Sequence, residues 1–152
     1  CMDGGVSELK AMASVGRACG VHGMINGQVR DIELMASEHA TEEKLIRLIE
    51  QKTMALMITS VESAAYVAGA SEETVEELKK FAYNLGIAFQ IRDDFEDEEE
   101  DKAESQNSPN FINTLGRDNA KAKLDFYANA SKEIIEKYPR SEFIKGLLDF
   151  LF

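Results

Sequence analysis

The stretch SEETVEELKKFAYNLGIAFQIRDDFED, Ser71 to Asp97, decides how this sequence folds. Val75, Leu78, Phe81, Ala82, Leu85, Ile87, Ala88, Phe89 and Ile91 supply one apolar side at helical spacing, and no proline interrupts them. Ser71 with Glu72 and Glu73 behind it has the grammar of a helix start. Its hydroxyl can cap a free amide, and the acids sit in the positive first turn. A helix of about 27 residues is long for a globular protein. Its apolar surface is too wide for a two-stranded coiled-coil seam. It reads as one member of a large helical bundle that runs directly into an acidic cluster.

The flanking sequence repeats the pattern. Thr41, with Glu42 and Glu43, starts a second long segment that reaches about Ala68, with Gly69 as its stop. Upstream, helices are expected over about Val6–Cys19, with Ser7 as N-cap, and over about Val21–Met35. Downstream, Lys102–Pro109 reads as a loop, Asn110–Tyr138 as a helix broken near Gly116, and Ser141–Phe152 as a last helix capped by Ser141. Strand-like alternation is absent, so the fold class is all-α.

Composition narrows the function. The chain has 152 residues, 44% of them apolar, enough for a sizeable core and against wholesale disorder. Its net charge is −11, and DDFEDEEEDKAE, Asp93–Glu104, carries −8 of that, from nine acids and one lysine. Nucleic acid and anionic membranes are therefore excluded as default partners. No apolar run is long enough to span a bilayer. Two cysteines, Cys1 and Cys19, make no disulfide framework and suit the cytoplasm, with Cys19 as a small core residue. A first residue other than Met, and an end in the apolar run GLLDFLF without a cap, point to a piece of a longer protein.

Three stretches carry chemistry. In FQIRDDFED, Phe89–Asp97, a helix puts Asp93 and Asp97 one above the other and Gln90 three residues before Asp93, with Asp94 about 100° round the axis. Stacked carboxylates repel unless a cation joins them, and oxygen ligands with room for water suit Mg²⁺. Glu98–Asp101 lack the apolar context of the first aspartates and read as a solvated helix end. In LIEQKTMALMI, Lys52 and Thr53 lie in an apolar helix, where a lysine either meets an anion or snorkels to the surface. In GMINGQVRD, Gly23–Asp31, Gln28 and Asp31 share a face, while the glycines allow close approach of a ligand or of another helix. His22 and His39 have no partner at metal spacing and read as a packing residue and a loop residue.

In this order, GMINGQVRD, EQKTMAL and GIAFQIRDDFED resemble the C-terminal half of a trans-isoprenyl diphosphate synthase, of the polyprenyl synthase family. The resemblance covers about Arg17–Asp101 closely and the tail more loosely. It implies the isoprenoid-synthase bundle around a deep cavity, with residues 1–152 as the C-terminal portion of one domain, usually in a homodimer. It implies an enzyme that joins an allylic diphosphate to isopentenyl diphosphate with Mg²⁺, giving a short-chain product of farnesyl or geranylgeranyl type. By position, Asp93, Asp94 and Asp97 resemble the second aspartate-rich, metal-binding motif, with Asp93 and Asp97 foremost. Lys52 resembles the lysine that grips the diphosphate. Thr53 and Gln90 resemble residues that steady the developing cation, and Gln28 and Asp31 resemble polar residues on the opposite wall.

Two departures temper the resemblance. Asp93–Asp94 is the one adjacent aspartate pair, so a first DDxxD motif is missing and the chain alone is expected to be inactive, with an N-terminal half of the same fold as its partner. SPNF, Ser108–Phe111, replaces the lysine-containing stretch that the family often has there, with Lys102 the one nearby lysine. A non-catalytic truncated subunit of a heteromeric synthase is one rival reading, and a class I terpene cyclase is another.

Overall fold

The computed structural model describes residues 5–36, 40–100 and 108–152. These form α1 (Val6–Cys19), α2 (Met24–Met35), α3 (Glu42–Ile49), a π-helical turn (Glu50–Met54), α4 (Ala55–Val67), α5 (Glu72–Glu100), α6 (Phe111–Leu115), α7 (Arg117–Ile135) and α8 (Glu142–Leu151). No strand occurs among the described residues, and the all-α expectation holds.

The long segments begin where their caps predict. Thr41 Oγ1 accepts the Lys44 amide at 3.3 Å, and Ser71 Oγ accepts the Thr74 amide at 3.2 Å. Gly69, at φ 73°, turns α4 into α5. Gly116, at φ 82°, makes the break expected in the fifth segment, and Asn110 caps α6 through the Asn113 amide at 2.7 Å.

Other expectations need correction. Ser7 lies inside α1, whose N-cap is Gly5. Ser141 sits at the cap position, but its hydroxyl turns back and donates to the Tyr138 carbonyl at 2.7 Å. α2 starts at Met24, leaving Val21 and His22 exposed in the turn before it, so His22 is no packing residue. Cys19 is exposed, because the last turn of α1 presents it to solvent and buries Ala18 instead. Cys1, His39, Asp101 and Lys102 lie outside the described residues, as does most of the expected Lys102–Pro109 loop.

α5 is the central element. It packs against α4 on one side and α7 on the other, while α1 lies on α4 and α2 on the π turn. The main core joins Leu34, Leu45, Leu48, Ile49 and Met54 to Ile87, Ala88 and Ile91 of α5 and to Phe111, Ala120 and Leu124 beyond it. Each fully buried Ile or Phe there stabilises by about 1.5–3 kcal/mol. A smaller cluster, Phe81, Ile135 and Leu148, fixes α8 at the opposite end of α5. α1 and α2 bury little: Val6, Leu9, Met12 and Val15 on α1, and Ile25, Val29, Ile32 and Met35 on α2, are exposed. No helix among the described residues is long and apolar enough to cross a membrane.

Candidate functional site

The site is built around the π turn. Glu50–Met54 interrupts what would otherwise be one helix from Glu42 to Val67. A π turn carries an extra residue and is often found at functional positions. Glycines admit it on both sides. A Cβ on Gly27 of α2 would lie 2.6 Å from Lys52 Cα and 2.7 Å from the Gln51 carbonyl carbon. A Cβ on Gly86 of α5 would lie 2.6 Å from Met54 Cγ. Both distances are well inside van der Waals contact, so neither position tolerates a side chain without movement. Close helix packing is thus the use made of Gly27.

Lys52 leaves the turn toward α2, where its Nζ meets Asp31 Oδ2 at 2.5 Å. The lysine side chain stays 41% exposed and the aspartate 18%, so the pair faces an accessible surface and is not sealed in the core. Asn26 donates to Gln51 at 3.0 Å one turn away, a second tie between α2 and the π turn. Thr53 is half-buried and Gln28 exposed. At the start of the π turn, Glu50 accepts from Tyr83 of α5. Burial first, then the Glu50 charge, pushes the Tyr83 phenol up to about 12. The same ring stands edge-on to Tyr127 of α7 at 6.5 Å.

From Gly86, α5 continues past the π turn. Residues 86, 90, 93 and 97 follow at helical spacing, so Gln90, Asp93 and Asp97 fall on the stripe of α5 that begins at that contact. Asp93 lies about 10 Å further along the axis at 1.5 Å per residue. It is half-buried, and that burial is the main cause raising its carboxyl above the ordinary range. Arg92 acts against the rise, while Glu96 and Asp97 add to it. Arg92 lies 3.4 Å from Asp93 and 3.3 Å from Glu96, with its guanidinium 4.7 Å over the Phe89 ring. Asp97 is exposed.

Asp94 borders that stripe beside Gln90, about 100° round the axis from Asp93, and points away from it. It is 7% exposed and turns to α6, where Oδ2 accepts the Phe111 amide at 2.7 Å. Gln90 donates to it as well, and burial pushes its carboxyl up to about 6. Beside it, the Arg117 guanidinium lies 4.9 Å over the Phe95 ring and pairs with Glu98. Glu98 is therefore paired and half-buried, not a solvated end residue, whereas Glu99 is exposed as expected.

The structure thus brings Lys52 to Asp31, and Gln90 to Asp94. It aligns Gln90, Asp93 and Asp97 and sets Asp94 apart. No group of three or more His, Cys, Asp or Glu that could hold a metal ion is gathered among the described residues. Asp93 and Asp97 offer two carboxylates with open surroundings, which fits a hard cation that completes its shell with water and substrate oxygens. The reading from sequence missed Gly86, Tyr83 and the anchoring of Asp94. The glycine in LGIAF, inside an otherwise strong helical pattern, is the signal that could have found the first.

The sequence profile of the polyprenyl synthetase family matches residues 7–130. Farnesyl diphosphate synthase of Bacillus subtilis is 34% identical over 127 residues, 78% of this chain and 43% of that protein. Geranylgeranyl diphosphate synthase of Pseudescherichia vulneris is 28% identical over 97% of this chain and 50% of its own length. The crystal structure of an FPP/GFPP synthase from Zymomonas mobilis superposes with a TM-score of 0.86 at 23% identity, covering 96% of this chain and 51% of that one. The chain belongs to the polyprenyl synthetase family. It spans about half the length of the relatives it matches.

Proposed function

We propose that this chain supplies one half of the active site of a short-chain trans-prenyl diphosphate synthase, which joins an allylic diphosphate to isopentenyl diphosphate. The observation that carries the reading is the stripe Gln90, Asp93, Asp97, which begins where α5 meets the π turn that bears Lys52 and Thr53. Asp93 and Asp97 would hold Mg²⁺. Bound there, Mg²⁺ supplies Lewis-acid stabilisation of the departing diphosphate. Lys52 adds positive charge where negative charge develops, once the substrate anion competes with Asp31 for its ammonium. Thr53 and Gln90 present neutral oxygens, which stabilise a carbocation without capturing it as a carboxylate would. Gln28 and Asp31 form the polar wall across from α5. Apolar helix surface excludes water from the cation.

The relatives named as farnesyl and geranylgeranyl diphosphate synthases support a product in that size range. The active form is a cytoplasmic homodimer of the longer protein, with the remaining half of the fold contributing further metal ligands and the isopentenyl diphosphate site. The test is direct. The longer gene product, incubated with dimethylallyl or geranyl diphosphate, labelled isopentenyl diphosphate and Mg²⁺, should give an extended prenyl diphosphate on chromatography. EDTA should abolish it, and residues 1–152 alone should give none. If the longer product makes no extended prenyl diphosphate, the reading fails.

A further inference from the structure

The three aspartates of RDDFED do not share one environment, and the difference assigns them different work. Asp93 and Asp97 lie on the open stripe of α5. Asp94 is buried at 7% exposure and committed to the backbone, with Oδ2 at 2.7 Å from the Phe111 nitrogen. That bond joins residues 17 apart in sequence. It lands on a corner that is itself tied together. Asn110 Oδ1 accepts the Asn113 amide at 2.7 Å, Asn113 Nδ2 donates to the Ser108 carbonyl at 2.8 Å, and Phe111 is wholly buried in the main core. Just past the corner, Arg117 returns to α5 through the Phe95 ring and Glu98. The acidic end of α5 is therefore clamped on the flank next to Asp93 and Asp97, about 100° round the axis from Asp93, at two places one turn apart.

We propose that Asp94 is a positioning residue that locks the end of α5 to the Ser108–Leu115 corner, so that Asp93 and Asp97 are held facing the same side as Lys52. In this division, Asp94 contributes an acceptor to the fold and no bond to a metal. An amide can do the same work. Asp94→Asn keeps an oxygen for the Phe111 amide, and the Gln90 amide can turn its carbonyl toward the new NH₂ group. A metal ligand would not survive that exchange, because a hard cation favours carboxylate over amide oxygen. The metal part rests on the proposed prenyltransferase reading; the anchoring part does not.

The experiment uses the full-length protein carrying this chain and its Asp94→Asn, Asp94→Ala and Asp93→Asn variants. Hydrogen–deuterium exchange of peptides covering residues 108–116 reads the anchor, and Mn²⁺ titration by electron paramagnetic resonance reads the metal site. Asp94→Ala should exchange about tenfold faster across 108–116, since a buried amide loses a charged acceptor. It should also weaken Mn²⁺ binding about three- to tenfold, in the range of lost supporting contacts around a metal. Asp94→Asn should restore both values to within about threefold of wild type, while Asp93→Asn weakens Mn²⁺ binding about tenfold or more and leaves the exchange unchanged. The proposal is overturned if Asp94→Asn weakens Mn²⁺ binding as much as Asp93→Asn, or if Asp94→Ala leaves exchange over 108–116 at the wild-type rate. Should the wild type bind no Mn²⁺, the prenyltransferase reading falls, and the exchange of the alanine and asparagine variants still decides the anchor. If the alanine variant does not fold, Asp94→Ser, whose shorter side chain cannot hold the Phe111 amide at the same distance, takes its place in the exchange measurement, and the asparagine variant still tests the metal part.

Discussion

At Gly27 a single hydrogen in place of a methyl group matters, because the backbone of Lys52 occupies the space a Cβ would need. Gly27→Ala should push α2 from the π turn and strain the Lys52–Asp31 pair. Overpacking of this kind costs about 1–3 kcal/mol. A urea midpoint unchanged from wild type would contradict so close a contact between α2 and the turn. Asp94 gives a pH prediction with a definite sign. Its folded carboxyl, pushed up to about 6, lies above the ordinary value of 3.8. The stability it contributes is present below the ordinary value and is lost as pH rises through about 6, on the order of 2–3 kcal/mol. Relative to Asp94→Asn, the wild type should therefore lose stability between pH 4 and 7 in metal-free buffer. Parallel profiles for the two proteins would refute this. At this scale the sequence was informative about type and less so about direction. Helical spacing put Asp93 over Asp97 and Asp94 off to one side, but only the return of α6 shows that the third carboxylate has a partner of its own. Cys19 and His22 misled because a lone apolar or aromatic residue at a helix end carries no signal of which way it faces.

Among the elements, the starts of α3 and α5 were legible because Thr41 and Ser71 satisfy local amides by themselves. At Ser141 the start was legible too, but not the missing cap bond: its hydroxyl donates to the Tyr138 carbonyl instead, next to Arg140 at φ 63°. The π turn was invisible for a different reason. No residue in EQKTM disfavours ordinary helix; the extra residue is held by what packs around it, Gly27, Gly86 and the Glu50–Tyr83 contact. It also explains why apolar residues between Leu45 and Ala65 cover so broad an arc: the two halves of the helix turn out of step by one residue, about 100°. Deleting Gln51 should convert the turn to ordinary helix and swing Lys52 off Asp31. On the proposed reading, the helical circular dichroism of the full-length protein should be retained and its affinity for an allylic diphosphate should fall about tenfold or more, as for loss of a charged hydrogen bond. Unaltered affinity would mean that the π geometry does not serve the site.

The whole molecule is unevenly covered. α5 is enclosed by α4 and α7, whereas α1 and α2 leave eight large apolar side chains exposed along their faces. Large apolar side chains exposed in this number on two helices suit a place where other protein packs, which agrees with a chain half as long as its relatives. Residues 1–152 alone should bind anilinonaphthalene sulfonate strongly and self-associate with rising concentration in light scattering, and the longer protein should do neither to that degree. Equal dye binding by both would argue that these faces stay open. Charge is as uneven as burial. Of the −11, the −8 gathered over Asp93–Glu104 sits on and beyond the end of α5, whereas the Lys52–Asp31 pair adds nothing to the sum. That neutral pair has a consequence for selectivity. An anion that reaches Lys52 must evict a carboxylate already seated at 2.5 Å, in an exposed bridge of the kind worth about 0–1 kcal/mol. On the proposed reading, a singly charged competitor gains little by the exchange, whereas a diphosphate would spread several charges over Lys52 and Mg²⁺ together. On the same reading, the bridge sets singly charged anions back by at most about fivefold at Lys52 and leaves the multivalent diphosphate ahead.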